Sequence, residues 1–119
     1  MPTYLDGTDN FDTGLGLGVG QSWVNETTSR ALDTLYTNTT GKPIQIVVSV
    51  NPGAATTGTR FGIYAVVDGV NIGLVADVKD ASYSGYLTHS FIVPNGETYK
   101  ITTLTNAAIY SWFELKEVV

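Results

Sequence analysis

The sequence predicts an all-β fold: an antiparallel two-sheet β-sandwich, jelly-roll-like, preceded by an extended Gly-rich N-terminal arm. From Trp23 onward, short runs alternate apolar and polar residues and are broken by turn residues at intervals of roughly ten positions, the spacing of sandwiches and barrels. No window repeats its apolar residues with the period of a helix. The run from Ile109 to Val119 keeps a period of two throughout. Ile109, Ser111, Phe113 and Leu115 therefore fall on one strand face, and Tyr110, Trp112, Glu114 and Lys116 on the other. The second of these faces is the more polar, and it is expected to meet solvent or a partner.

Two regimes follow along the chain. Residues 1–22 carry little continuous apolar pattern and include Gly14-Leu15-Gly16-Leu17-Gly18-Val19-Gly20, read as an attachment arm lying flat on another surface. Residues 23–119 form the sandwich, with strands expected over 31–37, 43–51, 60–67, 70–78, 86–93, 98–105 and 108–118. Thr40-Gly41-Lys42-Pro43 separates the first pair, with Gly free to take positive φ and Pro opening a strand where no ladder donor is needed. Asp68-Gly69 between Val67 and Val70 is the strongest hairpin signal, since a type I′ turn needs positive φ at both central residues. Pro94-Asn95-Gly96-Glu97 closes another hairpin, and Asn51 to Thr59 is a loop of small residues.

Alternation also names the core. Ile44, Ile46, Val48 and Val50 share one strand face, and Phe61, Ile63, Ala65 and Val67 share another. Leu87, His89, Phe91 and Val93 lie together, as do Tyr99, Ile101 and Thr103. Burying a Leu, Ile or Phe contributes on the order of 1.5–3 kcal/mol each, so a dozen such residues give a gain of the size that backbone ordering demands. Val47, Tyr64, Val66, Tyr110 and Trp112 are left over, as core of the opposite sheet or as interface.

Composition excludes several function classes. The 119 residues make one domain, and 43% hydrophobic content argues against disorder. Six basic against eleven acidic residues give a net charge of −5, which argues against nucleic acid as a partner. No stretch reaches the roughly 18–20 apolar residues of a membrane span, and Met1-Pro2-Thr3-Tyr4-Leu5-Asp6 does not read as a secretory leader. The chain has no Cys, so disulfides and thiolate metal sites are excluded and synthesis inside the cell is expected. With 14% charged residues, the surface is expected to be rich in Thr, Ser, Asn, Gly and Tyr, which suits self-assembly or contact with sugars.

Little points to catalysis, and neither a cofactor nor a metal is expected. The sole His, His89, sits in a strand with no nucleophile and orienting carboxylate in a recognisable motif. Gly14, Gly16, Gly18 and Gly20 do not make a dinucleotide fingerprint, and no Gly-Lys-Ser/Thr follows. Asp6, Asp9 and Asp12 recur every three residues but fit no EF-hand loop. Asp77 and Asp80 with Asp33 or Glu26 would have to meet in space to matter. Asn25-Glu26-Thr27 and Asn38-Thr39-Thr40 have the pattern of glycosylation sequons, read as accidental in a chain without a leader.

The order of several pieces resembles a known group. Gly18-Val19-Gly20-Gln21-Ser22-Trp23, Ser29-Arg30-Ala31-Leu32 and Tyr36-Thr37-Asn38-Thr39-Thr40-Gly41-Lys42-Pro43-Ile44 come first. Val67-Asp68-Gly69-Val70, Phe91-Ile92-Val93-Pro94-Asn95-Gly96-Glu97-Thr98-Tyr99 and Trp112-Phe113-Glu114-Leu115 follow. Together they resemble the small β-rich modules at the C-termini of bacteriophage tail fibres and related virion proteins. Arg30, ahead of an apolar run, suits a carboxylate or a backbone carbonyl.

The resemblance implies a non-enzymatic virion structural protein, made in the host cytoplasm and self-associating as a homotrimer. It would attach to other virion proteins of the capsid or tail, as a decoration or small fibre component. The short arm departs from the fibre pattern, which has a long repetitive shaft, and the Gly-rich start equally fits a free-standing small protein that plugs its arm into a capsid or tail. The candidate interface residues are Phe11, Leu15, Leu17, Val19, Tyr64, Tyr110 and Trp112. The alternative expectation is a fibre-tip module binding a glycan or host receptor, with Tyr83 and Tyr86 contacting host surface polysaccharide. A depolymerase would need two placed carboxylates, and a core this small leaves little room for its groove.

Overall fold

The computed structural model describes residues 16–80 and 85–117. Eight strands form: β1 (Ser22–Asn25), β2 (Tyr36–Thr37), β3 (Ile44–Asn51), β4 (Arg60–Val67), β5 (Val70–Val78), β6 (Leu87–Val93), β7 (Thr98–Thr105) and β8 (Ala108–Lys116). Two antiparallel four-stranded sheets result, ordered β1-β8-β3-β6 and β2-β7-β4-β5. The architecture is a β-sandwich of jelly-roll type.

The topology has a simple origin in the turn at Asp68-Gly69, whose φ values of 52° and 76° suit a type I′ hairpin. Successive pairs lie nearly equally far from that turn along the chain: Val67 with Val70, Ile44 with Val93, Tyr36 with Tyr99, and Trp23 with Leu115. The chain is one long antiparallel hairpin rolled up, and the further pairings β3–β8 and β4–β7 complete the two sheets.

Most of the expected core is the observed one, with Leu87, His89 and Thr103 only half-buried and Trp112 joining it. Ile44, Ile46, Val48, Val50, Ile63, Ala65, Val67, Phe91, Val93, Tyr99 and Ile101 form a buried cluster, and Phe61 is buried too. Three details differ from the alternation. The strand expected over 31–37 shortens to Tyr36–Thr37 because Asp33 adopts φ 59°, and its carboxylate accepts hydrogen bonds from the Thr103 N–H and hydroxyl at 2.9 and 2.8 Å. Ser22–Asn25 is a strand against β8, so regular structure begins one residue before the expected boundary. Residues 16–20 turn rather than extend, with Gly18 and Gly20 at φ 88° and 68° and Val19 N–H donating to the Gly16 carbonyl at 3.3 Å.

The last strand reverses the expected assignment of its faces. Trp112 is 0% and Glu114 1% exposed, both inside the sandwich. Between Ser49 and Val50 the β3–β8 register shifts, so that Ser49 faces Ser111 and Val50 faces Ile109, with Tyr110 unpaired. This bulge leaves Tyr110 exposed while Ile109 packs on the core.

Candidate binding surfaces

A charged cluster at one edge of the sandwich fixes the segment 26–35 that links β1 to β2. Glu114 Oε2 accepts hydrogen bonds at 3.0 Å from Arg30 Nε, the Tyr99 hydroxyl and Trp112 Nε1. Its Oε1 accepts from Arg30 Nη2 at 3.2 Å and Lys116 Nζ at 2.9 Å. Glu26 Oε2 also binds Lys116 and lies 3.5 Å from Arg30 Nη2. The Arg30 guanidinium covers the Tyr36 ring at 4.8 Å, within cation–π range. Arg30 is thus the carboxylate anchor that its position suggested.

Burial by itself would raise the Glu114 pKa, but the hydrogen bonds and charges of Arg30 and Lys116 outweigh it and hold it below the usual range. Burial works against the charged Lys116 as well, yet its bonds to Glu26 and Glu114 raise its pKa. Tyr99 is raised, first by burial and then by the Glu114 charge. Every oxygen of Glu114 is occupied and the cluster faces the interior, so it is structural.

The other singled-out polar residues are likewise engaged in the fold. Asn38 is buried, its Nδ2 donating to the carbonyls of Lys42, Val93 and Pro94 at 2.8, 3.0 and 3.2 Å. Its Oδ1 accepts from the Thr40 N–H and hydroxyl, so this sequon is a hub joining two turns. Asn25 is exposed and its Oδ1 accepts from Thr27 N–H. His89 Nε2 lies 3.0 Å from the Gly73 carbonyl and its ring packs edge-on against Phe91. Asp33, Asp77, Asp80 and Glu26 are not gathered: among the described residues no group of three or more His, Cys, Asp or Glu could hold a metal ion.

Two surfaces remain as candidates for binding. The outward face of the second sheet carries Tyr64 and Val66 on β4 beside β5, where Tyr64 pairs with Leu74 and Gly62 with Ala76. Ile72, Leu74 and Val78 are 44, 52 and 50% exposed there. At one end of the sandwich, Tyr86 and Tyr110 stack with centroids 4.5 Å apart and planes at 39°, each 57% exposed. An open depression of about 850 Å³ beside Tyr110 is lined by Asn25, Thr27, Thr28, Ser111 and Phe113. A smaller one of about 230 Å³ beside Tyr86 includes Asn51 and Lys79.

Of the expected interface residues, Tyr64 is half-buried and faces outward, Tyr110 is exposed, and Val19 is half-exposed. Trp112 is a correction: with no exposed surface it belongs to the core, where it bonds Glu114 and meets the Tyr36 ring edge-on at 6.1 Å. Leu17 lies half-buried in the turn 16–20. Phe11, Leu15 and Tyr83 lie outside the described residues. Sequence reasoning missed Ile72 and Leu74, because an alternating apolar strand does not reveal which of its faces is covered.

No protein-family model matches the chain, and no curated protein matches it.

Proposed function

We propose that this chain is a non-catalytic structural protein of a bacteriophage particle, a jelly-roll module that associates with copies of itself as a trimer. In this reading it serves as a decoration or small fibre component of head or tail, attached through its N-terminal segment. The observation that carries the reading is the apolar strip of Ile72, Leu74 and Val78 beside Tyr64. Exposed apolar residues gathered on one strand mark an association surface.

Contact by face rather than by strand addition fits the chemistry of β5. It is the edge strand of its sheet, where an unpaired ladder would template further pairing. Its midpoint is already satisfied: Gly73 N–H donates to Asn71 Oδ1 at 3.1 Å, and His89 meets the Gly73 carbonyl. A closed three-fold ring needs two different patches per copy. The β4–β5 face supplies one, and the end of the molecule with half-exposed Val19 and Trp23 supplies the other.

Light scattering at micromolar concentration tests this. The intact protein is expected at three times its chain mass, and Leu74→Lys combined with Ile72→Lys is expected to be monomeric with an unchanged circular dichroism spectrum. A monomeric wild-type protein overturns the reading.

A further inference from the structure

We propose that the depression beside Tyr110 is a binding site for a neutral saccharide, with Tyr110 as its stacking platform. The site lies apart from the β4–β5 face and does not depend on the self-association argued above.

The chemistry of the lining singles out this ligand class. Asn25, Thr27, Thr28, Ser111, Tyr110 and Phe113 contribute two aromatic rings, one carboxamide and hydroxyls, with no formal charge. A pyranose presents C–H groups on one face and hydroxyls around its rim. The first suits an exposed ring, and the second suits amides and hydroxyls that both donate and accept. A charged ligand would find no counter-ion there. A purely apolar one would desolvate the Asn, Ser and Thr groups without partners.

The polar groups are placed by the fold and have capacity left. Asn25 uses its Oδ1 on Thr27 N–H, which orients the side chain and leaves its amide hydrogens for a ligand. Thr27 Oγ1 accepts from Trp112 N–H at 3.0 Å, so its position is set by the core strand while its hydroxyl hydrogen remains to donate.

Two features favour a ligand over a chance cleft. Tyr110 is the residue expelled by the β8 bulge, a device that re-aims a side chain at the cost of ladder regularity. Its ring is stiffened by Tyr86 at 4.5 Å, yet both remain more than half exposed. Preorganised aromatics with accessible faces lose little freedom on binding. Tyr86, stacked on Tyr110, lines the smaller depression with Asn51 and Lys79, so the ring pair links the two and a longer chain could span both.

The test is saturation-transfer NMR on the full chain, using methyl glycosides of glucose, galactose, mannose and N-acetylglucosamine and neutral oligosaccharides built from them. At least one is expected to show transfer strongest at its ring C–H protons. Losing one aromatic contact should weaken binding roughly three- to tenfold in Tyr110→Ala, with light-scattering mass unchanged and melting temperature lowered only by the few degrees that the lost Tyr86 contact accounts for. Tyr110→Phe should keep most of the affinity, and Asn25→Ala should lower it without altering the mass. Overturning results are no transfer to any neutral sugar, binding confined to charged sugars, or affinity indifferent to Tyr110→Ala. A change of oligomeric mass in Tyr110→Ala would also overturn the proposal, by assigning Tyr110 to a protein interface.

Discussion

Replacing Glu114 with Gln removes one charge and changes almost no volume. With the Gln carbonyl in the place of Oε2, the amide can still accept from Arg30 Nε, Tyr99 and Trp112, which now meet that oxygen at 3.0 Å. Its NH₂ then sits in the place of Oε1, against Arg30 Nη2 and Lys116 Nζ, which now lie at 3.2 and 2.9 Å. Two charge-assisted bonds become donor-to-donor contacts. Breaking a buried pair by deleting one partner costs about 3–5 kcal/mol. Glu26 still holds Lys116 and approaches Arg30, which places the expectation near the lower end, about 3 kcal/mol.

For a domain of this size that is a fall of roughly 10 °C in melting temperature at pH 7. The pH dependence gives a second, independent reading. The folded-state pKa of Glu114 is depressed. Its contribution is therefore fully present above the ordinary carboxylate range and disappears as pH falls through the folded value. The gap between wild type and Glu114→Gln should close as the solution is acidified from pH 7 to below pH 4. Calorimetric melts across that range check both. Melting within about 2 °C of wild type at neutral pH, set against the loss expected for a broken buried pair, would refute the reasoning. A gap independent of pH would refute the electrostatic part of it.

Two further expectations follow from the same geometry. Asn38→Ala deletes all five side-chain hydrogen bonds of a buried hub and takes the Asn38 donor from the Val93 and Pro94 carbonyls, while the Lys42 carbonyl keeps the Thr40 hydroxyl, so a loss of about 2–4 kcal/mol is expected in urea unfolding. Asp68→Asn should raise the melting temperature at pH 7. The Glu97 pKa is raised, first by its hydrogen bond to Asp68 and then by the Asp68 charge. Such a group contributes stability in acid and loses it as pH rises through the folded value, so the gain from removing the neighbouring charge should shrink near pH 4. Asn also suits the left-handed φ of 52° at that position.

Strands β3 to β8 were legible because their residues alternate cleanly and Gly, Pro or Asn marks most of their ends. The turn over residues 16–20 is local, closed by the Val19–Gly16 hydrogen bond; the other differences came from interactions between residues distant in sequence. Ala31 to Leu35 reads as extended chain until the Asp33 carboxylate finds Thr103 and the backbone turns left-handed. β1 is four residues long and exists as an edge on β8, too short to announce itself by pattern. The Trp112–Glu114 face reads as polar, since a carboxylate in a strand normally points to water. What makes its burial tolerable is Arg30, separated from Glu114 by 84 positions, and no local pattern encodes that pairing.

Both candidate surfaces fall at irregularities in the ladders. Ile72 is skipped in the β4–β5 register, where Ala65 pairs with Gly73 and Val66 with Asn71, and Tyr110 is skipped in the β3–β8 register. A bulge adds a residue that pairs with nothing, and that residue is free to face outward. In a rolled hairpin whose pairs are all counted from one turn, an extra residue would displace every pair beyond it unless absorbed locally. Its cost is therefore structural, and its product is one apolar or aromatic side chain presented to solvent. Deleting Tyr110 would make Ser49–Ser111 and Val50–Ile109 consecutive ladder pairs, keep Ile109 on the core side, and remove the bulge and the platform together. Truncating the side chain leaves that register intact, so Tyr110→Ala separates a ligand platform from a packing device where deletion would merge them.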